Sequence, residues 1–358
     1  MKAAVLEKPG MLTVKDIPLR TCSNDEVLIK VKSCGICGSD LRYFKGENPW
    51  ALHTLGKSIP NPPNLILGHE FAGIVADAGS PALRHLIGKR VCVEPYNTCG
   101  MCDNCRTGKY NLCVNTRHIG HSAGWPAMDY TPGGMAEYCQ VWATHVYELP
   151  DSISFEEATI LDPLAVAIHA VSISGFKPGD TVLVMGSGPV GICIAQTVKV
   201  IGSVRVFCTD IYDNALKVAE KVGADDALNV NLIDIEEYVF RQTGNRGVNL
   251  VFDTVGTRES QKQALTLLST SGTLVNLVAN SSQINYTLKD LSGERSIKGS
   301  SNNLYDDFLL GIRLMAAGRI QVKPMINHHF LLEDVNRGFD VLFDKTGSGA
   351  VKVVIDVS

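Results

Sequence analysis

Four closely spaced cysteines place the strongest constraint on what this chain can fold into. Cys99, Cys102, Cys105 and Cys113 follow one another with gaps of two, two and seven residues. A tetrahedral zinc needs four soft ligands at about 2.3 Å, and thiolates this close in sequence can surround one ion without help from distant segments. A closed site of this kind leaves no position open for a substrate, so the pattern predicts a structural zinc and places the chemistry elsewhere.

Disulfides, an iron–sulfur cluster and unrelated buried thiols are the alternatives to zinc for these cysteines. The chain has eleven cysteines, an odd number, and no secretory apolar segment behind its first residues, which disfavours disulfides. A four-iron cluster prefers a last gap of three followed by proline, whereas this gap is seven and Val114 follows. These observations favour structural zinc.

Length and composition indicate a globular protein of two domains. The chain has 358 residues, of which 45% are hydrophobic and 20% charged. No apolar run reaches the roughly 18 residues of a membrane span, and a net charge of -4 supplies no basic surface for nucleic acid. We therefore expect a cytoplasmic protein in a reducing compartment that binds neither membrane nor nucleic acid.

The first 150 residues alternate short β-like runs with Gly, Pro, Asn and Asp. This pattern predicts an irregular, antiparallel β-rich domain whose loops carry the functional residues. The predicted strands are Ala3–Leu6, Leu12–Lys15, Val27–Ser33, Phe71–Ala76, Arg90–Val93 and Ala136–Val141.

A glycine-rich turn follows the apolar strand that begins after Asp180. The sequence GSGPVG places Gly186, Gly188 and Gly191 between this strand and a helix, with Pro189 and Val190 inside the motif. In this context the first glycine permits a tight turn, the second lets a pyrophosphate approach the backbone, and the third lets the helix pack on the strand. The helix N-terminus then faces the phosphates, so the motif predicts a dinucleotide site.

Asp210 closes the next strand, about 20 residues beyond the last glycine of the motif. A carboxylate there can accept hydrogen bonds from the ribose 2′-hydroxyl of NAD, and it would repel a 2′-phosphate by about 4 kcal/mol at 4 Å and an effective dielectric of 20. No arginine follows that would favour NADP, so we predict NAD. The alternative role for Asp210 is a helix N-cap.

Strands and helices continue to alternate as far as about residue 280, which predicts a doubly wound parallel sheet. Before it, residues 155–173 are predicted to be helical with a break at Asp162 and Pro163. The chain then has two helices, 304–317 and 332–343, and a terminal strand, 350–357, that can return to the first domain.

Seven motifs occur in an order typical of one family. They are GICGSD at 35–40, GHE at 68–70, VEP at 93–95, the four-cysteine loop, GGMAEY at 133–138, DPLAVAIHA at 162–170 and GSGPVG at 186–191. The chain resembles the zinc-dependent medium-chain alcohol dehydrogenases over essentially its whole length, and within them the polyol branch of sorbitol, butanediol and threonine dehydrogenases. The resemblance implies a GroES-like catalytic domain, 1–153 with 290–358, a Rossmann domain, 154–289, and a homotetramer or homodimer.

The resemblance also implies a second, catalytic zinc. Cys37 matches its thiolate ligand, His69 its imidazole ligand, and Glu70 a carboxylate ligand or close neighbour. Asp162 stands where this branch usually has Glu; since Asp is one methylene shorter, it can reach the metal through water, or it can simply cap a helix ahead of Pro163. Asp40 matches the carboxylate that orients the histidine ligand.

Ser39 matches the first acceptor of the family's proton relay. Many relatives place a histidine three residues later, where this chain has Arg42, and arginine cannot act as a base at ordinary pH. The proton then leaves through water and ribose hydroxyls, or through His53 or His121; the sequence does not choose between these routes.

The resemblance also implies a substrate pocket, with Tyr43 matching a substrate-side tyrosine. The insertion 47–63, which contains Trp50, is expected to cap this pocket, or its aromatic side chain simply stabilises the loop. Sorbitol dehydrogenases place a sugar-binding Arg after residue 299, whereas this chain reads Ser300 to Asn303, so sorbitol itself is in doubt and Asn302 becomes a substrate candidate.

Together these features predict an NAD-dependent zinc dehydrogenase. It would oxidise a secondary hydroxyl of a polyol, cyclitol or vicinal diol, using NAD and two zinc ions per chain. The alternatives are oxidation of an amino-alcohol such as L-threonine, and a catalytically silent protein that binds NAD and zinc.

Overall fold

The structure is a computed structural model that describes residues 1–122, 124–280 and 282–357, with the backbone alone at 53–55. It divides into two compact units, the first formed by Met1–Asp162 with Ile326–Ser358 and the second by Pro163–Met325. Helices (α) and strands (β) are numbered along the whole chain.

The first unit is built mainly from β-strands. Its strands are β1 (Lys2–Lys8), β2 (Met11–Asp16), β3 (Glu26–Gly35), β4 (Leu65–Ile66), β5 (Glu70–Ala78), β6 (Arg90–Val93), β7 (Tyr96–Asn97), β8 (Arg117–His118), β9 (Tyr138–Trp142), β10 (Val146–Glu148), β17 (Ile326–Leu331) and β18 (Lys352–Asp356). Its short helices are α1 (Gly38–Phe44), α2 (Pro49–Leu55), α3 (Asp103–Arg106), α4 (Phe155–Ala158), α11 (Val335–Phe343) and α12 (Lys345–Ser348).

The main sheet of this unit has the strand order β10-β6-β5-β3-β18-β17, and β9 also pairs with β3. Smaller sheets have the orders β2-β1-β4 and β7-β8. The central strand β3 carries fully buried Val27, Ile29 and Val31, which pack into the core of the unit. The last residue of β3, Gly35, lies opposite Glu70 of β5 and Val354 of β18. The start of β5 and the middle of β18 therefore lie on either side of the end of β3.

The second unit is a doubly wound α/β domain. Its strands are β11 (Thr181–Met185), β12 (Arg205–Asp210), β13 (Asp226–Asn229), β14 (Val248–Asp253), β15 (Leu268–Asn276) and β16 (Ser296–Gly299), all parallel in the order β13-β12-β11-β14-β15-β16. Its helices are α5 (Leu161–Ser174), α6 (Pro189–Ile201), α7 (Asp213–Lys221), α8 (Ile235–Gln242), α9 (Arg258–Leu267) and α10 (Tyr305–Ala316). The sheet order reverses between β11 and β14, which is where such folds bind ligands.

The predicted fold class is confirmed: an irregular β-rich unit accompanies a doubly wound one, and the terminal strand β18 returns to the first unit beside β3. The division of the chain differs from the expected one, because residues 290–325 belong to the second unit, where β16 extends the parallel sheet beside β15. The helical break also differs: α4 ends at Ala158 and α5 begins at Leu161, so Asp162 and Pro163 lie in the first turn of α5. Among the described residues, no helix combines the length and apolar character that crossing a bilayer requires.

Candidate functional site

The four-cysteine loop closes into one cluster of sulfur atoms. The Sγ atoms of Cys99 and Cys105 are 4.0 Å apart, those of Cys102 and Cys105 3.5 Å, and those of Cys113 and Cys99 3.5 Å. A tetrahedron with zinc–sulfur bonds of 2.3 Å has edges of about 3.8 Å, so these separations fit one zinc ion. All eleven cysteines of the chain are free thiols, as zinc binding in this loop requires.

The backbone of this loop favours thiolates. The N–H groups of Met101 and Cys102 lower the pKa of the Cys99 thiol to about 6. The N–H groups of Cys99 and Asn115 also donate to the Cys113 sulfur, at 3.3 and 3.4 Å. Because zinc binds the deprotonated sulfur, these donors prepare the loop for the ion.

Replacing Cys105 by Ser should lower the zinc content by one ion per chain, because Cys105 contacts the sulfurs of both Cys99 and Cys102. The loop 99–113 should then become a preferred site of limited proteolysis, since a structural zinc contributes folding energy directly. Metal analysis and proteolysis of the variant check this result. Cys22→Ser, at a half-buried thiol outside the loop, is the control, and equal zinc content in the two variants would contradict the assignment.

A second group of metal-binding side chains is formed by Cys37, His69 and Glu70. Each offers one ligand atom, and these atoms all lie within 4.8 Å of one another. Cys37 is the N-cap of α1 and Glu70 is the first residue of β5, so a helix start and a strand start bring the three together. His69 and Glu70 are buried, and Cys37 is partly exposed. Three mixed sulfur, nitrogen and oxygen donors are typical of a catalytic zinc with an open position.

The surroundings of His69 fit a bound cation. Its Nδ1 atom is buried without a hydrogen-bond partner among the described residues. Burial lowers the pKa of His69, but the negative charges of Asp40 and Cys37 outweigh burial and raise that pKa well above its usual value. The same negative charges would attract a metal cation to this point.

Asp40 organises the two segments that carry these ligands. It is fully buried, and its carboxylate accepts hydrogen bonds from the backbone N–H of Cys37 at 2.9 Å and of Gly68 at 3.3 Å. Its Oδ1 atom is 3.6 Å from Nδ1 of His69, which is longer than a hydrogen bond. Asp40 therefore contacts the backbone of both segments that bear these ligands, and its predicted orienting role toward the His69 ring stays a prediction.

Lys352 is a site residue that the sequence interpretation missed. Its ammonium group forms a buried ion pair with Glu70 and donates to the carbonyl of Ile36 at 3.2 Å. Burial lowers the pKa of Lys352, but the Glu70 charge outweighs it, so the lysine stays charged. The signal in the sequence was a lone lysine inside the apolar run 350–355, a position where an unpaired charge is costly.

Asp162 stands apart from the group of three ligands. Its carboxylate is not among the ligand atoms that lie within 4.8 Å of one another. Burial raises its pKa to about 7, with the positive charge of His69 opposing and the negative charge of Glu70 adding to that rise. A simple N-cap role does not apply, because α5 begins one residue earlier, at Leu161.

Ser39 meets His121 rather than residue 42. Ser39 Oγ lies 3.2 Å from Nε2 of His121, whereas the Arg42 guanidinium donates to Glu47 at 2.7 Å. The His121 ring stacks on His118 with centroids 3.9 Å apart. Of the two histidines that the sequence left open, His53 lies outside the described side chains.

His118 fixes the position of the His121 ring. His118 is buried, and its Nδ1 is 2.8 Å from the carbonyl of Ile119, which requires a proton on that nitrogen. Burial, with the positive charge of His69, lowers the pKa of His118 to about 3, so the ring is neutral. A neutral imidazole held in this way supports the adjacent His121 ring without competing for its proton.

Tyr43 faces His121 in the first unit. It is fully buried, its ring lies 4.9 Å from the His121 ring between centroids, and its hydroxyl accepts a hydrogen bond from the N–H of Trp50 at 3.4 Å. Burial raises the pKa of Tyr43 to about 12, so it remains a neutral donor. Trp50 is half-buried in α2. Asn302 belongs to the second unit, where it is exposed with a φ of 52°.

The glycine motif lies at the carboxyl end of β11. Gly186 has a φ of 90°, and a Cβ there would overlap the Thr254 hydroxyl. A Cβ on Gly191 would overlap the Gly186 carbonyl, whereas one on Gly188 would meet nothing within 4 Å. Gly188 is the N-cap of α6, with Pro189 in the first turn. The open side of Gly188 is therefore where a pyrophosphate can approach the helix N-terminus, so the turn fits a dinucleotide.

Asp210 ends β12 beside this turn. Its Oδ2 accepts a hydrogen bond from the N–H of Ser187 at 2.7 Å, and its Oδ1 accepts from Ile211 and Tyr212 at 2.7 and 3.0 Å. The N-cap of α7 is Tyr212, so Asp210 does not hold that position. The carboxylate is thus fixed next to the glycine turn, where the predicted contact with a ribose requires it.

Comparison with known proteins agrees with both units. The sequence profile of the alcohol dehydrogenase GroES-like domain matches residues 23–151, and that of the zinc-binding dehydrogenases matches residues 189–317. The chain is 33% identical to sorbitol dehydrogenase of Bacillus subtilis, over 93% of this chain and 91% of the relative. It is 31% identical to D-xylulose reductase A of Aspergillus niger, over 99% of this chain and 96% of the relative.

A solved structure of an alcohol dehydrogenase from E. coli CFT073, complexed with NADH, is similar over 99% of both chains. Its TM-score is 0.88 at 29% sequence identity. The matched profiles, the extent of the sequence similarity and the shared fold agree. The chain belongs to the zinc-binding alcohol dehydrogenase family.

Proposed function

We propose that this enzyme oxidises a secondary hydroxyl of a polyol, cyclitol or vicinal diol to the ketone, with NAD as the hydride acceptor. The observation that carries the proposal is the convergence of Cys37, His69 and Glu70 beside the Ser39–His121 hydrogen bond. Relatives named sorbitol dehydrogenase and D-xylulose reductase support a polyol as the substrate class.

Two groups that the chain would bind complete the chemistry. Zinc held by Cys37, His69 and Glu70 would supply Lewis acidity, which lowers the pKa of an alcohol hydroxyl. NAD would supply the acceptor for the hydride that leaves the carbinol carbon. Asp162 would act on this site through water or through its charge, since its carboxylate stands outside the group of three donors.

Ser39 and His121 carry the hydroxyl proton away. Ser39 Oγ accepts the proton that the alcohol loses and gives its own to Nε2 of His121, 3.2 Å away. Lys352 keeps Glu70 paired during this step, and Asp40 holds the segments that bear Cys37 and His69. The substrate would thus lose one proton to the protein and one hydride to the NAD that the second unit would hold, which balances the oxidation of an alcohol to a ketone.

Replacing His121 by Asn should lower kcat about a hundredfold, because general base assistance contributes on that scale. Zinc content and NAD binding should remain those of the parent enzyme, and both are measured beside kcat. Arg42→Gln is the matched control on α1, and it should retain nearly full kcat because its guanidinium is engaged by Glu47. A large loss of kcat in Arg42→Gln with none in His121→Asn would reverse the assignment.

The coenzyme preference follows from Asp210. Its carboxylate, fixed by three backbone N–H groups, would accept hydrogen bonds from the ribose hydroxyls of NAD and repel a 2′-phosphate. Initial rates with NAD and NADP at equal concentrations test this directly. Faster turnover with NADP would overturn it.

The substrate is identified by a panel assay. NADH formation is measured with sorbitol, xylitol, inositol, butane-2,3-diol, L-threonine and ethanol, using Cys37→Ser as the inactive control. Tyr43, Trp50 and Asn302 remain the proposed substrate-side residues, and their alanine variants should raise KM for the best substrate. L-Threonine as the best substrate would favour amino-alcohol oxidation. If no compound of the panel gives NADH and the protein holds one zinc per chain, the result would favour a catalytically silent protein.

Assembly and compartment complete the proposal. The enzyme would form a homodimer or homotetramer in which second units associate along β16, which stands at one edge of its sheet and carries the exposed Ile297. Sedimentation of the purified protein tests this assembly. Eleven free thiols support the reducing cytoplasm as its compartment.

A further inference from the structure

The second unit contains a polar cavity at the amino ends of its strands. Its volume is about 700 Å³, which is within the range of small-molecule sites. The start of β11, the start of β12 and the residues after α8 contribute to it, as do residues near the starts of β14, β15 and β16. Its basic and amide side chains are those of Arg205, Arg246, Arg295, Gln242, Asn245 and Asn249. We call this cavity the arginine basin.

The side chains that line the arginine basin are basic or neutral. Among the residues that the structure describes, its lining includes three arginines, three side-chain amides and four hydroxyls, but no aspartate or glutamate. Arg205 pairs with the carboxylate of Asp226 at 2.7 Å, and the charge of Asp290 acts on Arg295 from outside the lining. No carboxylate in the described lining neutralises the positive charges of Arg246 and Arg295. The cavity therefore attracts anions.

Backbone carbonyls hold the guanidinium groups of Arg246 and Arg295, and each group keeps other N–H donors for a ligand. Arg246 donates from Nε to the carbonyl of Thr243 at 3.1 Å. Arg295 donates from Nε to the carbonyl of Ser269 at 3.3 Å and from Nη1 to that of Asp290 at 3.5 Å. Among the described residues, neither Nη atom of Arg246 donates a further hydrogen bond, nor does Nη2 of Arg295. Donors positioned in advance in this way reduce the cost of binding.

The spacing of the arginines indicates the size of the ligand. Arg205 begins β12, Arg246 precedes β14 by two residues and Arg295 immediately precedes β16, so the three come from every second strand of the sheet. Neighbouring strands are about 4.8 Å apart, so successive arginines start about 10 Å from each other. A single phosphate cannot bridge two arginines that start about 10 Å apart, such as Arg246 and Arg295, whereas two anionic groups on one carbon skeleton can.

The arginine basin is separate from the dinucleotide site. Asp210 and the glycine turn lie at the carboxyl edge of the same sheet. Arg205 and Asp210 are the two ends of β12, which at about 3.3 Å per residue puts the two edges roughly 17 Å apart. We propose that the arginine basin binds a small molecule that carries two phosphoryl groups, at a site additional to that of NAD.

The test uses fructose 1,6-bisphosphate as the probe and the full-length enzyme saturated with NAD, so that the glycine turn is already occupied. Calorimetric titration at low ionic strength should give one site per chain, with affinity at least about tenfold higher than for inorganic phosphate. Arg246→Gln and Arg295→Gln should each weaken this binding about tenfold, because each removes charge-assisted hydrogen bonds. Arg319→Gln, at an exposed arginine elsewhere in the unit, should bind as the parent does.

Each outcome decides the proposal. Loss of affinity in the two basin variants, with affinity kept in Arg319→Gln, would support it. Equal affinity in all variants would place the probe elsewhere, and absence of binding to the parent enzyme would also overturn the proposal. Melting curves without probe establish that the variants are folded, and Arg246→Lys, which keeps the charge, should bind better than Arg246→Gln. Calorimetric binding of the probe does not depend on turnover. Its result therefore tests the arginine basin independently of the proposed oxidation.

Discussion

Cys37→Ser should reduce NADH formation by at least about a thousandfold with the best substrate of the panel. The substitution removes the sulfur donor from the group of Cys37, His69 and Glu70, whose ligand atoms otherwise lie within 4.8 Å of one another. A Lewis acid contributes several kcal/mol to an oxidation of this kind, and about 4 kcal/mol corresponds to a thousandfold in rate. Metal analysis of the same variant should give one zinc per chain, that of the four-cysteine loop.

Fluorescence titration with NADH provides the second readout for Cys37→Ser. Binding should persist, because Gly188 and Asp210 belong to the second unit and are unaffected. Cys22→Ser serves as the control for the loss of a partly exposed thiol and should keep both zinc ions and full activity. Retention of two zinc ions and normal turnover in Cys37→Ser would refute the assignment of this group as the catalytic metal site.

The features that the sequence predicted well are local. The glycine turn, the strand before it and the helix after it occupy one continuous segment, so spacing alone determines which backbone atoms meet. The four-cysteine loop is equally local, and its sulfur atoms converge as the gaps of two, two and seven residues predicted. Cys37 and His69 required the family resemblance, because 32 positions separate them in the chain and no periodicity links them.

The features that the sequence could not predict depend on distant contacts. Glu70 and Lys352 are 282 residues apart and meet only because β18 returns beside β3, opposite β5. The choice of His121 as the partner of Ser39 depends on the path of the chain after β8, which carries that ring back to α1. The domain boundary near residue 290 was misplaced because β16 is only four residues long and has no marked apolar pattern.

The Glu70–Lys352 pair illustrates why a charge can be tolerated in this core. Both side chains are almost fully buried, so neither can be solvated by water. Gly35 provides the space for them, since a Cβ there would lie 2.7 Å from Lys352 Cε and 2.8 Å from Glu70 Oε2. The pair holds the carboxylate that is proposed to face the metal, while the cost of removing two charges from water is offset by their mutual attraction.

Lys352→Met should therefore lower the free energy of unfolding by about 3–5 kcal/mol, because it leaves the Glu70 carboxylate buried without its partner. Urea denaturation followed by fluorescence measures this change. Lys2→Met is the matched control: Lys2 also pairs with a glutamate, Glu333, at 2.8 Å, but both side chains are about half exposed and the denaturation midpoint should not move. The double variant Lys352→Met with Glu70→Gln should recover part of the lost free energy of unfolding, since it removes the unpaired carboxylate charge. If Lys352→Met instead unfolds at the same urea concentration as Lys2→Met, water reaches Glu70 and the site is more open than its burial indicates.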